Sequence, residues 1–489
     1  MRSIADRERG RPPLHWDDGI VSVRCPVCGR VDDQQQLATA PVEWQTDDVV
    51  IARCGGCQSI VMSAVESVDD AYVQESWDLY VELTAGIEAI ADTLAKVSTG
   101  PGARMLDVGC GFGFGLDLGE RLRGWRGIGL DPSPAASVGR AALGLDIRTG
   151  LLDAEFAPGE QFDVILASEL FEHVPDPRSF LGHVRSHLAD EGVVVLATPD
   201  GSAVGPETPL ATLLPALGIG SHVFLVTADG LRTVLESAGL VADIASDGTT
   251  LRVVASPTSA GLRQSDLDGS TTLGELVQYC ASHATDAPPG SSLGLGMVGR
   301  QVKFLAYQGD FTKVDDKLPA LREALLARYD IDLEDPAGII GRPFVPAIVA
   351  SAGYFSGIVA EYVHGDHDKA VALFTAAYVA GRHHREVHRG SASPEVIAFG
   401  TQALGERALV FARVDLDAVR GALRELDAAA ARGTCDPAIA ADFKSRTEAV
   451  MAARFARPHR TQEWVVRAKF AVGTRLRRLR KASKRPVRG

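Results

Sequence analysis

The sequence predicts an α/β fold, a sheet of mainly parallel strands with a small cysteine-bearing module before it and an all-helical region after it. Three observations carry this. Short continuous apolar runs alternate with helical stretches between about residues 104 and 256, the pattern of strands buried on both faces. Two Cys-x-x-Cys pairs stand ahead of that region, and from about Leu293 onward the spacing of apolar residues is helical.

Length and composition allow several cores. At 489 residues, with 46% hydrophobic and 23% charged residues, the chain has room for about three domains of ordinary globular composition. No run of 18 apolar residues occurs, and Met1 to Gly10 carries charges where a signal peptide needs an apolar centre, so the expectation is a cytoplasmic chain. The net charge of −13 argues against a nucleic-acid partner. From Trp464 to Gly489, however, there are ten Lys/Arg and no Asp/Glu. Val465, Ala468, Val472, Leu476 and Leu479 share one helical face there, a basic amphipathic tail suited to an anionic membrane surface at its inner face.

The first element is the pair of knuckles, Cys25-Pro-Val-Cys28 and Cys54-Gly-Gly-Cys57, separated by 25 residues. Two-residue spacing lets one tight turn aim both thiolates at a tetrahedral ion, and four thiolates leave no open position. Cys25, Cys28, Cys54 and Cys57 are therefore expected to hold a structural Zn2+ in a zinc ribbon over 1–65, with Val42–Trp44 and Val49–Arg53 as strands. Next, Leu83, Ile87, Ile90 and Leu94 recur at helical spacing, predicting one helix over 81–97.

The centre of the chain is Met105 to Gly115, an apolar strand running into a turn with Gly109, Gly111 and Gly113 at alternate positions. Glycines there let a ligand approach the backbone, and Asp107 places a carboxylate beside the opening. About 20 residues on, the strand Trp125 to Asp131 ends in an acid, the residue type that holds ribose hydroxyls in a doubly wound sheet. Together these stretches resemble the class I S-adenosylmethionine-dependent methyltransferases over about residues 72–257. The resemblance implies a Rossmann-like seven-stranded sheet over 66–257 and a cofactor site formed by Asp107, Gly109, Cys110, Gly111, Gly113 and Asp131. It adds Asp153, near the adenine amine, and Ser168. It also implies a helix ahead of the first strand that closes over the cofactor, with Tyr72, Trp77 and Tyr80 either lining that side or packing the ribbon onto the sheet.

Strands follow at Asp146–Gly150, Phe162–Ser168, Gly192–Thr198, Leu240–Ser246 and Leu251–Ser256, the last antiparallel. After the fourth strand of this region, Ser168 to Pro177 resembles the Glu-His-Val-x-Asp-Pro segment of small-molecule and sugar methyltransferases. Ubiquinone-pathway O-methyltransferases and zinc-containing deoxysugar C-methyltransferases are among them. Methyl transfer from a sulfonium is an in-line displacement, so the protein must orient an acceptor and manage its proton. His173 is the candidate base, with Glu169 or Glu172 orienting it. Alternatively Glu169, Glu172 and His173 share a divalent cation that acidifies the acceptor, and His222 completes either site. If neither holds, Glu172 and His173 only cap the following helix. The irregular stretch 200–222 is the expected acceptor lid, and Thr227 the cap of the helix after it.

Residues 258–292 read as a linker and 293–460 as a helical domain, with a tail over 461–489. The helical domain departs from the deoxysugar C-methyltransferases. His384 and His388 have metal-ligand spacing, but with flanking arginines they read as a solvated helix end. The expected activity is O-methylation of a sugar or glycan hydroxyl. C-methylation of a nucleotide-linked deoxysugar and a non-catalytic ligand-binding scaffold are the alternatives, and the oligomeric state is left open.

Overall fold

The apolar runs become strands in a computed structural model that describes residues 14–42, 47–63, 80–84, 86–153, 155–288, 290–388, 393–431 and 437–456. Among these, residues 14–63 and 86–271 form one unit, and 80–84 and 272–456 another. The boundaries differ from those expected. The cysteine module shares a unit with the α/β domain, and the residues just before the first helix of that domain belong to the helical unit.

The cysteine module comprises β1 (His15–Val21), β2 (Gln34–Ala40), β3 (Val49–Arg53) and β4 (Ile60–Met62), joined antiparallel in chain order. Val42 lies outside any strand, and the expected strand's Glu43 and Trp44 fall outside the described residues. The two knuckles lie in the β1–β2 and β3–β4 connections.

The α/β domain follows with β5 (Arg104–Val108), β6 (Arg126–Asp131), β7 (Ile147–Thr149), β8 (Phe162–Ser168), β9 (Leu188–Pro199), β10 (Phe224–Leu225), β11 (Val241–Ser246) and β12 (Thr250–Ser256). Seven of these form one sheet in the order β11-β12-β9-β8-β5-β6-β7. Neighbours from β9 to β7 are parallel, while β12 runs antiparallel to both β9 and β11. Leu106, Ile165 and Val194 are fully buried, as parallel strands covered on both faces require. The remaining strand, β10, pairs with β4 and so adds a fifth strand to the cysteine module's sheet.

The single helix expected over 81–97 is two. A π-helical turn covers Tyr80–Thr84, Gly86 takes a left-handed φ of 58°, and the α-helix begins at Ile87 and ends at Leu94. The apolar spacing continues across the break, so periodicity alone hid it. Arg300 donates to the carbonyls of Tyr80 and Val81, and buried Glu82 accepts from Arg328 and Tyr329, fixing this turn in the helical unit. Tyr72 and Trp77 lie outside the described residues.

The passage expected as a linker contains the helix Leu273–Asp286, started by a capping box in which Thr272 and Glu275 each bond the other's backbone. Its Gly, Ser and Pro flanks masked it. Further helices cover Ser292–Gln308, Phe311–Tyr329, Ile348–Val359, His367–His388, Pro394–Val414, Leu416–Ala431 and Pro437–Ala456. His384 is not a solvated helix end: it is 2% exposed and its Nε2 accepts from the Ser393 amide. The basic tail falls outside the described residues. Among the described residues no helix is long and apolar enough to cross a membrane.

Candidate active site

The chain runs from β5 out to β6 and β7, then returns to place β8 on the other side of β5. That reversal is the switch point at whose carboxyl edge open α/β sheets bind ligands. The glycine turn sits there. Gly109 and Cys110 donate from their amides to Leu130 O, lashing the turn to β6. Gly113 caps the helix Phe114–Arg123 at φ 97°, and a Cβ on it would stand 2.5 Å from Ile147 Cδ1, so any other residue there would be strained in its backbone and would push that side chain aside.

Asp131, at the end of β6, accepts from the amide of Gly111 at 2.8 Å and from Ser133 N and Oγ at 2.8 and 2.5 Å. These bonds aim a carboxylate beside the turn, where ribose hydroxyls would be held. Asp107 is buried below it. Burial pushes its carboxyl up to about 8, with the Leu116 amide opposing the rise and Asp131 adding to it. Ser168, at the end of β8, has its Oγ buried without a hydrogen-bond partner. Asp153 is exposed and accepts from the amides of Glu155 and Phe156, so it shapes its own turn.

Beyond β8 the chain turns through Glu169 at φ 51°, a left-handed conformation that costs a non-glycine residue about 1 to 2 kcal/mol. A short 3-10 turn, Phe171–His173, follows. Buried Phe171 anchors it, its ring edge-on to Phe224 at 5.4 Å. Glu172 is 1% exposed. Its Oε2 accepts from Thr198 Oγ1 at 2.9 Å, and its Oε1 has no hydrogen-bond partner, the nearest basic group being His222 Nε2 at 3.9 Å.

Two imidazoles face this carboxyl, their rings edge-to-face at 4.7 Å. His173 Nδ1 donates to Ser221 O at 3.0 Å and His222 Nδ1 donates to Ala216 O at 2.9 Å. Each ring is thereby fixed in the tautomer that leaves Nε2 as a lone pair. One ligand atom from each of Glu172, His173 and His222 lies within 4.8 Å of the others. Burial pushes His222 down to about 4, with His173 adding to the fall, and lowers His173 as well. Burial pushes Glu172 up to about 7, so near neutral pH the Glu172–His222 contact is a carboxyl beside a neutral imidazole rather than an ion pair.

Glu169 is not in this group. Its side chain is exposed to solvent yet flanked by enough protein that desolvation, and then Glu172, raise its carboxyl to about 7 while Arg252 opposes the rise. The cation trio expected from sequence, Glu169 with Glu172 and His173, is thus replaced by Glu172, His173 and His222. Nor do Glu172 and His173 cap the next helix. Asp176 does, accepting from the Ser179 amide at 3.1 Å. Thr227 caps the helix Ala228–Ser237, as its sequence predicts. Thr198, Ser133 and Arg252 went unrecognised in the sequence. Thr198 was the findable one, a polar residue ending a buried apolar strand at the ligand-binding edge.

In the cysteine module, Cys25 Sγ lies 3.5 Å from Cys57 Sγ and Cys28 Sγ 3.4 Å from Cys54 Sγ. All four sulfurs lie within 4.8 Å of one another. A tetrahedron with Zn–S bonds of about 2.3 Å has edges of about 3.8 Å, so the donor set fits that ion. The contact with Cys57 and burial raise the Cys25 thiol, while the same contact lowers Cys57 to about 5. Four thiols this close ionise together only around a cation.

Part of the chain is similar to known proteins. Residues 82–243 match the family model of a methyltransferase domain. Over 155 residues the chain is 34% identical to a ubiquinone biosynthesis O-methyltransferase of Rhodopseudomonas palustris (strain BisB5), covering 29% of this chain and 59% of that protein. Over 154 residues it is 33% identical to the protein of the same name from Cereibacter sphaeroides (strain KD131 / KCTC 12085), covering 28% of this chain and 60% of that one. A TehB-like S-adenosylmethionine-dependent methyltransferase structure from Corynebacterium glutamicum superposes with a TM-score of 0.28 at 19% identity, covering 39% of this chain and 98% of that chain. The chain thus carries a class I S-adenosylmethionine-dependent methyltransferase domain, and it spans about 59% of the length of the first of these curated relatives.

Proposed function

We propose that the chain transfers the methyl group of S-adenosylmethionine to a hydroxyl oxygen. The observation that carries this is the pair of imidazoles with free Nε2 atoms beside Glu172, at the same strand edge as the glycine turn and Asp131. The glycine turn would hold the cofactor, with Asp131 holding its ribose hydroxyls. The acceptor oxygen attacks the methyl carbon in line, the C–S bond breaks toward sulfur, and S-adenosylhomocysteine leaves. His173 receives the hydroxyl proton at Nε2. It is the solvent-facing member of the group, and its depressed pKa keeps it neutral and ready near pH 7.

A second reading has its own support in the unbonded Oε1 of buried Glu172. Glu172, His173 and His222 would hold a divalent cation, which supplies a Lewis acid that lowers the acceptor's pKa. Dialysis against a chelator, with activity restored by added Mg2+ or Mn2+, separates the two. Full activity in the metal-free protein favours the base.

For the acceptor, a sugar or glycan hydroxyl is supported by the tetracysteine module joined to this type of domain. The relatives' names support a ubiquinone precursor as the second class. C-methylation has less behind it, because the carboxyl-terminal part is all-helical and these relatives are named O-methyltransferases. A scaffold without catalysis is the weakest reading beside a matched methyltransferase domain. We keep structural zinc at Cys25, Cys28, Cys54 and Cys57, a cytoplasmic location and tail contact with anionic lipid as parts of the proposal. Labelled cofactor incubated with sugar and quinol-precursor acceptors decides the acceptor class. An O-methyl resonance in the product supports the proposal, and a C-methyl resonance or no transfer to either class rejects it.

A further inference from the structure

We infer that the tetracysteine cluster is a brace for the acceptor half of the active site: it sets the position of His222 relative to Glu172 without touching the cofactor cradle. The effect on turnover rests on the function proposed above, whereas the brace itself rests on geometry alone.

The link is short. Val223 follows His222, and its peptide groups face two ways: its amide donates to Glu172 O at 2.9 Å, and its carbonyl accepts from Met62 N at 3.1 Å. One residue therefore ties the catalytic turn to the strand that leaves the second knuckle. Phe224 and Leu225 then pair with Val61 and Ile60 in β4, the sheet partner of this two-residue strand among the described residues. Next, Thr227 is bonded to the knuckle at two points. Its Oγ1 donates to Cys57 O at 3.0 Å and its amide donates to Ser59 Oγ at 3.3 Å. The direction of the Cys57 carbonyl follows from the turn that presents the Cys57 thiolate, a turn in which Gln58 is held at φ 61°. The other knuckle is fastened too, by Arg178, which donates to Val27 O at 3.0 Å.

Packing agrees with the hydrogen bonds. Cys25, Val27, Cys54 and Val61 are buried in one apolar cluster with Phe171, Phe224 and Val226, the residues that flank Glu172 and follow His222. The stretch 200–222, expected to be irregular, holds a 3-10 turn (Gly201–Ala203) and the helix Leu210–Leu217, to whose end His222 is bonded through Gly218 O and Ala216 O; on the other side of His222 the chain is held by β4 and the knuckle. The cofactor turn draws its bonds instead from β6. Losing the cluster should therefore loosen His222 and spare cofactor binding.

The test uses the full chain as wild type, Cys57→Ser and Thr227→Val. Four readouts are taken: zinc per chain, S-adenosylmethionine affinity by calorimetry, the His222 ring signal in NMR assigned with His222→Gln, and turnover. Wild type should carry one zinc. Cys57→Ser should lose it, keep cofactor affinity within about threefold, shift or broaden the His222 signal and lose about tenfold or more in turnover. Thr227→Val should keep the zinc yet still move the His222 signal, and it decides the matter if Cys57→Ser does not fold. An unmoved His222 signal in folded Cys57→Ser or in Thr227→Val overturns the brace, as does wild type without zinc. A moved signal with unchanged turnover upholds the brace and instead removes His222 from the proposed chemistry.

Discussion

The two halves of the candidate active site are built from different materials. At the cofactor half, main-chain amides of Gly109, Cys110 and Gly111 bond the adjoining strand or its terminal Asp131, all within about 25 residues of sequence. At the acceptor half, Glu172, His173 and His222 come from two stretches about 50 residues apart and are positioned by bonds to Thr198, Ser221 and Ala216. A main-chain cradle serves any protein that uses the same cofactor. A side-chain cluster can be retuned for each acceptor, so specificity should lie in the second half and cofactor affinity in the first.

The largest expected effect breaks the acceptor half alone. Glu172→Gln keeps the shape but removes the titratable carboxyl that faces both imidazoles, and turnover should fall about 10² to 10³-fold with cofactor affinity unchanged. Stopped assays and calorimetry on the same preparation check both. Asp131→Ala attacks the other half. It removes the carboxylate that gathers Gly111 and Ser133, and cofactor affinity should weaken about 30- to 100-fold, read by calorimetry.

A pH experiment sharpens the comparison further. Asp107 is raised to about 8 in the folded chain against 3.8 ordinarily, so its contribution to stability is complete below about pH 4 and is lost as pH rises through 8. The cationic cofactor favours the carboxylate, so binding near pH 7 should release a proton. Binding heats should then vary with the ionisation enthalpy of the buffer, and the Tm gain from cofactor should grow between about pH 6 and 8. Heats independent of buffer would contradict the buried neutral Asp107.

The smallest effect is expected from Thr198→Val. It removes a hydrogen bond that lowers the Glu172 pKa, so that carboxyl should rise above about 7, shifting any Glu172 limb of the pH–rate profile to the alkaline side, with a loss in turnover of about threefold at pH 7.

What the sequence disclosed follows the same division. The glycine turn and Asp131 were readable because their chemistry depends on local spacing, as were the two knuckles and the seven strands. Glu172 and His173 were readable through their neighbours in the chain, and His222 only as a candidate to complete them. Its place opposite Glu172 depends on the β4–β10 pairing, a contact between residues more than 160 positions apart that no periodicity reports. Glu169 was misplaced for a related reason: the left-handed turn that separates it from Glu172 leaves no mark in residue type. The helix Leu273–Asp286 hid behind Gly and Pro flanks, although Thr272 and Glu275 spelled out its cap.

The most direct test of the division between halves measures cofactor affinity and turnover together on Asp131→Ala and Glu172→Gln. The account predicts that Asp131→Ala binds S-adenosylmethionine weakly, whereas Glu172→Gln binds it as wild type does and turns over little. Equal loss of affinity in both variants, or wild-type affinity in Asp131→Ala, would contradict it.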